Sequence, residues 1–251
     1  MNSNTALSNH TISGHRGARG LAPENTLVGI QLAAHHGATW VEMDVQLTAD
    51  LVPVMQHDRT INRCTNGRGS LHKKTLSALQ AFDASQGYKG DNAAEFADQI
   101  VPTLEQALNA CLKHNLSMNL EIKVHRKADE RPLVEQVVKT VKAMNFPLDK
   151  LVFSSFSLGV LTYCKTLFPE VRRGLITSRH IRNMMEKATQ LELFSIHYDQ
   201  SKLTQSTAQK IKAAGLELHI WTLNDPEQAA MFRGWGVDNI ITDYPDLFQG
   251  K

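Results

Sequence analysis

The chain has 251 residues, 42% of them hydrophobic and 21% charged, with a formal net charge of +2. That balance provides a sizeable core and argues against a dedicated nucleic-acid binder, which would carry a basic face or tail. No apolar run is long enough to cross a bilayer. The polar stretch from Met1 to His10 lacks the apolar segment of a signal peptide, so a cytoplasmic protein is expected. Cys64, Cys111 and Cys164 form no CxxC pair and read as free thiols in a reducing compartment.

Taken in chain order, β-rich runs fall near 11–15, 40–47, 118–122, 151–154, 173–176, 193–196, 218–222 and 238–241, with helical patterns between them. Several helical stretches end in glycine just before a strand: His35-His36-Gly37, Ala213-Ala214-Gly215 and Trp235-Gly236. Glycine there supplies the left-handed backbone that stops a helix. Asp225-Pro226-Glu227-Gln228 is a helix start, with a capping acid and proline in the first turn. The length fits one large barrel or two small domains. Eight strands alternating with helices favour a closed α/β (β/α)₈ TIM barrel over a doubly wound open sheet. Residues 58–103 are too long for an ordinary loop and read as a small insertion after the second strand, within one domain spanning 1–251.

The parity of polar residues inside apolar strands carries the chemistry. Val41, Met43, Val45 and Leu47 are apolar, so Glu42 and Asp44 project together into the barrel. In the next barrel strand Leu120, Ile122 and Val124 face out, while Asn119, Glu121 and Lys123 face in. Three carboxylates meeting in one interior cost several kcal/mol unless a positive charge joins them. Lys123 alone cannot neutralise three. A divalent cation with hard oxygen ligands can, and the set suits Mg²⁺ or Ca²⁺ better than zinc. The plain alternative is a polar layer laced with salt bridges and water; agreement between two strands shifts the balance toward a cation. His15-Arg16-Gly17 closes the first strand, and His57-Asp58 closes a short run that returns beside the second. Strand C-termini form the catalytic face of a parallel barrel. Two histidines there can serve as acid and base around a phosphate, and Arg16 offers a donor fork for its oxygens.

His15-Arg16-Gly17, Pro23-Glu24-Asn25-Thr26, Glu42-Met43-Asp44-Val45, Thr48-Ala49-Asp50 and His57-Asp58 together resemble the signature of glycerophosphodiester phosphodiesterases. Glu121-Ile122-Lys123, Ser154-Ser155-Phe156, Trp221-Thr222-Leu223-Asn224, Gly236-Val237-Asp238 and Thr242-Asp243 continue it in order, from His15 to about Leu247. The likeness is to the short cytoplasmic bacterial type, a TIM barrel with an insertion after its second strand. The resemblance implies His15 and His57 as the general acid and base, and Glu42, Asp44 and Glu121 as metal ligands. It implies Arg16 and Lys123 as phosphate contacts and Trp221 as a wall of the substrate pocket. Two positions depart from the family pattern, which commonly has glycine at Leu51 and at Asn239. Asn239 tolerates a left-handed backbone, whereas Leu51 does so poorly, which points to a hairpin of a different type.

The expected reaction is metal-dependent hydrolysis of glycerophosphodiesters to glycerol 3-phosphate and an alcohol, by direct water attack or through a cyclic phosphate. Trp221 shares the parity of Glu217 and His219, so its ring should pack on the polyol while its indole N–H stays free to donate. His197 is expected to line the pocket at most. The expected partner is a small glycerophosphodiester, with no nucleic acid and no stable membrane association; a homodimer is left open. Two competing readings are head-group release from lysophospholipids, which an apolar mouth would favour, and a phosphodiester-binding protein without catalysis. The insertion is mostly polar with scattered apolar residues, Leu71, Leu76, Leu79 and Phe82 among them, and no expected ligand or histidine is missing.

Overall fold

The computed structural model of the protein describes residues 11–178 and 183–249. The segment Met1 to His10 lies outside the described residues. The chain begins with β1 (Thr11–His15) and α1 (Leu27–His35), then β2 (Trp40–Leu47), which turns back as the short β3 (Pro53–Met55). The insertion holds α2 (Leu76–Gln80), and α3 (Leu104–Lys113) follows it. Thereafter strands and helices alternate: β4 (Ser117–Ile122), α4 (Glu130–Ala143), β5 (Leu151–Ser155), α5 (Leu158–Leu167), β6 (Arg172–Thr177) and α6 (Met184–Gln190). The order closes with β7 (Ser195–Asp199), α7 (Gln205–Ala213), β8 (Glu217–Trp221), α8 (Ala229–Gly234) and β9 (Asn239–Thr242).

Among the described residues, eight parallel strands run β1-β9-β8-β7-β6-β5-β4-β2, and pairing of β1 with β2 closes the ring. This is the (β/α)₈ barrel. β3 is antiparallel to the end of β2, with Val45 opposite Met55 and Leu47 opposite Pro53. Outward strand residues such as Val41, Met43, Val45, Leu120 and Ile122 pack with Leu104, Leu108, Val134 and Val137 of the surrounding helices. Burying one such side chain contributes roughly 1.5–3 kcal/mol, which fixes the register that turns the even positions of β2 inward.

Helix starts and stops follow local chemistry. Thr103 and Gln106 form a reciprocal capping box at α3, and the hydroxyls of Thr26, Ser157 and Thr204 accept backbone N–H bonds at α1, α5 and α7. Asp225 caps as expected, but the turn it starts is a 3₁₀ turn, Pro226–Gln228, that leads into α8. The glycine stops are confirmed by left-handed backbone at Gly37, Gly215 and Gly236, and Asn115 and Asn145 do the same work after α3 and α4. After α6 the left-handed residue is Glu192 (φ 50°), and Leu193 N–H still closes that helix on Ala188. The sixth barrel strand, β7, therefore starts at Ser195, two residues later than 193–196 suggests.

Both departures from the family pattern resolve differently from expectation. Leu51 does adopt the left-handed conformation (φ 60°), so the hairpin keeps that backbone with an exposed leucine in it. Thr48 pins the turn, its hydroxyl accepting from Val52 N–H at 3.0 Å and donating to Asp50 at 2.6 Å. Asn239 is not a turn residue. It opens β9, buried, and its amide donates to Ser13 Oγ at 2.8 Å.

The insertion carries a small core of its own. Ile61, Leu71, Leu79, Ala84 and Val101 pack on Val54 of β3, with Leu76 and Phe82 partly buried against them. These apolar residues thus face inward, while Ile100 stays exposed. The three cysteines are free and buried.

Candidate active site

Strand register explains why the acids meet. In the parallel pairing of β2 with β4, Asp44 stands opposite Glu121, and Glu42 lies two residues earlier on the same inward face. Oxygens of Glu42, Asp44 and Glu121 lie within 4.8 Å of one another, and all three residues are buried. Like charges side by side in a sheet repel. Burial and the neighbouring Asp44 and Glu121 push Glu42 well above the usual carboxylate range. Burial lifts Glu121 to about 7 against the pull of Lys123. Asp44 goes the other way: burial would raise it, but Lys123 and Arg16 hold it below its ordinary value.

Asn25, left-handed at φ 57°, grips Asp44 twice. Its amide donates to Asp44 Oδ2 at 2.9 Å, and its Oδ1 accepts Asp44 N–H at 3.0 Å. Lys123 Nζ stands 3.1 Å from Asp44 Oδ1 and also contacts Glu121. Asp44 Oδ1, buried beside that ammonium, nevertheless receives no hydrogen bond.

The turn after β1 is tight. A Cβ on Gly14 would lie 1.7 Å from the Gly17 carbonyl, and Arg16 (φ 51°) and Gly17 (φ 89°) are both left-handed. This turn drives the Arg16 N–H onto Glu42 Oε2 at 3.0 Å. The Arg16 side chain reaches Glu24 at 2.9 Å and passes 3.4 Å from Asp44. His15 ends the strand with Nδ1 2.6 Å from Asp243 Oδ1 and Nε2 3.8 Å from Glu42 Oε2. Asn224 in turn donates to Asp243 Oδ2 at 2.8 Å and accepts the Asp243 N–H at 2.9 Å. Burial lowers the His15 pKa, and the Asp243 bond opposes that fall.

His57 stands across the cavity with a matching acid: Nδ1 is 2.7 Å from Asp58 Oδ1. Gln46 of β2 holds the loop, its amide donating to the carbonyls of Gln56, His57 and Asp58 at 2.7–3.0 Å. Burial lowers the His57 pKa, with Asp44 pulling it back up. Trp221 does not keep a free N–H as expected: its indole donates to the His197 carbonyl at 3.1 Å. Its ring meets Phe156 edge-on, at 5.7 Å between centroids. His197 lies below, buried, with Nε2 2.8 Å from Ser195 Oγ and its ring stacked on His219 at 4.3 Å.

A cavity of about 280 Å³ at the strand C-termini is lined by His15, Arg16, Glu42, His57, Glu121, Lys123 and Trp221, with His197 and Asn119 also in its wall. Every residue singled out in the sequence reaches this cavity except Asp44, which lies just behind it on Lys123 and Arg16. The partners Asp243, Asp58, Glu24 and Asn25 were not assigned from sequence, although all four sit within the quoted motifs.

The family model for glycerophosphoryl diester phosphodiesterases matches residues 15–247. A glycerophosphodiester phosphodiesterase of Caldanaerobacter subterraneus is 30% identical over 232 residues, 92% of this chain and 93% of that protein. Among solved structures, an Oleispira antarctica phosphodiesterase in complex with the product sn-glycerol-3-phosphate superimposes with a TM-score of 0.89. It is 34% identical, over 95% of each chain. A glycerophosphodiester phosphodiesterase of Agrobacterium tumefaciens gives 0.81 at 26% identity, over 96% of this chain and all of that one. The fold and the cavity define a phosphoric diester hydrolase on a TIM barrel. The chain belongs to the glycerophosphoryl diester phosphodiesterase family and is an enzyme of that class.

Proposed function

We propose that the enzyme hydrolyses glycerophosphodiesters to glycerol 3-phosphate and an alcohol, with a divalent cation held by Glu42, Asp44 and Glu121. The observation that carries this reading is the meeting of three buried carboxylates and two carboxylate-backed imidazoles around one small cavity. The oxygen spacing suits one hard cation with bonds of roughly 2.0–2.6 Å, and Asp44 Oδ1, which receives no hydrogen bond, is an oxygen that a cation would satisfy. An all-oxygen donor set favours Mg²⁺ or Ca²⁺ over softer metals. The cation, when bound, neutralises the acids and polarises a phosphate oxygen.

The side chains do the rest. Arg16, aimed by Glu24, and Lys123 hold the non-bridging oxygens and spread the charge that builds on phosphorus. With Nδ1–H donated to Asp243 or Asp58, each imidazole keeps its Nε2 for the substrate. One Nε2 takes the proton from the attacking oxygen as the P–O bond forms. The other, protonated, gives a proton to the alcohol oxygen as its bond to phosphorus breaks. Trp221 and Phe156 wall the cavity against water and pack on the glycerol carbons. The product bound in the Oleispira relative supports glycerol 3-phosphate as product here. The described residues contain no helix long and apolar enough to cross a membrane, and the buried free thiols fit a cytoplasmic setting.

The test is a panel of glycerophosphodiesters assayed with and without chelator, following glycerol 3-phosphate release. Turnover should need the cation and should tolerate changes of the alcohol. Lysophospholipid cleavage is the second reading, and the 48% exposed Phe156 at the rim is the feature that favours it. Lysophosphatidylcholine therefore belongs in the panel, and faster turnover of it than of glycerophosphocholine would reverse the order of the two readings.

A further inference from the structure

Arg63 lies outside the cavity, in the insertion, yet it touches the orienting acid of two cavity residues. Its Nη1 donates to Glu24 Oε2 at 2.5 Å and its Nη2 to Glu24 Oε1 at 2.9 Å. Its Nε donates to Asp58 Oδ2 at 2.8 Å, and Nη2 is shared with Asp58 Oδ1 at 3.1 Å. Glu24 Oε1 also accepts from Arg16, and Asp58 Oδ1 also pairs with His57 Nδ1. The result is one continuous chain: His57, Asp58, Arg63, Glu24, Arg16.

We propose that Arg63 is a positioning residue for hydrolysis, a guanidinium clip through which the insertion fixes the general acid–base His57 and the phosphate-binding Arg16 together. The proposal rests on the roles given above to His57 and Arg16. The planar guanidinium has five N–H donors, and here it uses them on two carboxylates at once, a geometry that lysine cannot reproduce. Arg63 itself is held from behind. Ile61 is buried in the insertion core, its N–H bonds Gly69, and Thr65 closes back on the Ile61 carbonyl. Glu24 is partly buried, which would resist ionisation, but the Arg63 bonds, with Arg16, bring its pKa down to about 2, so it stays an anion able to aim Arg16. Without Arg63, Arg16 becomes the remaining cation on a partly buried carboxylate and should be drawn onto Glu24, away from phosphate. Asp58 would lose the bonds that keep its oxygen facing His57 Nδ1.

The experiment compares Arg63→Ala, Arg63→Lys and His57→Ala in the metal-loaded enzyme, measuring kcat, KM and melting temperature. Arg63→Ala should lower kcat by about 10–100-fold, the usual loss when the partner that orients a site residue is removed. Millimolar guanidinium chloride should restore much of that kcat without raising the melting temperature. A purely structural brace would behave differently, losing melting temperature and gaining nothing from guanidinium. Arg63→Lys, which keeps the charge but reaches one acid at a time, should melt near wild type and still lose kcat. It carries the test if Arg63→Ala does not fold. Wild-type kcat in Arg63→Lys, or in a folded Arg63→Ala, alongside a crippled His57→Ala overturns the clip. An active His57→Ala overturns the assignment of His57, and the clip falls with it.

Discussion

Two sides of the barrel interior obey the same alternation and end differently. Along β1, β2 and β4 the inward positions gather three carboxylates, Arg16, Lys123 and a histidine standing on Asp243. Along β7 and β8 they gather Ser195, His197, Glu217, His219 and Trp221, with Glu217 the buried carboxylate beside two stacked imidazoles, while Asp199 at the end of β7 caps the following turn. His15 is partly buried and His197 fully so, and desolvation lowers both. His15 has an acid to offset the fall, whereas His197 faces Ser195, Asn119 and His219 and drops well below 6.5, so it stays neutral. Burial of polar groups thus does not by itself define a site. The side with several charges gathered at one cavity is the one suited to hold a cation and move protons, and the β7–β8 side forms its floor.

The largest break in this contrast should come from the acids. Glu42→Gln, Asp44→Asn and Glu121→Gln should each abolish turnover and cation uptake while the protein still folds, as followed by circular dichroism beside the activity assay. Next, His15→Ala and His57→Ala should each slow kcat by roughly 10²–10⁴-fold. His197→Gln, on the β7–β8 side, should cost less than about tenfold. A dead His197→Gln with an active His57→Ala would invert the comparison. Trp221→Ala should weaken glycerol substrates most and narrow their advantage over bis(p-nitrophenyl) phosphate, seen as a ratio of kcat/KM values.

The smallest effect sharpens the comparison through pH. His197 titrates lower in the folded state than in the unfolded chain, near 6.5. Above pH 6.5 both states leave it neutral and its contribution to stability is fully present. As pH falls below 6.5, the unfolded chain takes up a proton that the native state refuses, and stability is lost by up to about 1.4 kcal/mol per pH unit. His197→Gln should therefore show a shallower loss of stability between pH 6.5 and 5 than wild type in urea titrations. Equal slopes would mean that His197 is protonated in the native state.

How much of this was legible in the sequence varies with the kind of interaction. The inward turn of Glu42, Asp44, Glu121 and Lys123 follows from a period of two, and the Asp44–Glu121 pairing follows once β2 and β4 are neighbours. Helix stops at glycine were equally direct, and the start of β7 was displaced because Glu192 takes the left-handed role without a compositional signal. The partners of the histidines were hidden. Asp243 reaches His15 across 228 positions from the residue just after β9, and no periodicity links the two. Motif membership was the available signal for Asp243, Asp58, Glu24 and Asn25. The Trp221 N–H was misjudged because parity places a ring inside the barrel but cannot tell that a carbonyl at His197, on the adjacent strand, will capture it. Leu51 shows the reverse case. A residue ill-suited to a positive φ still takes it, because the Thr48 hydroxyl and the β2–β3 pairing over-determine the turn.

The most direct test of the central claim is a calorimetric titration of Mg²⁺ and of Ca²⁺ into chelator-treated enzyme, with glycerophosphocholine turnover measured at each addition. One cation should bind per chain, turnover should rise in step with occupancy, and Glu121→Gln should lose both signals together. Full turnover after verified removal of metal, or cation binding that persists unchanged in Glu121→Gln, would contradict the account.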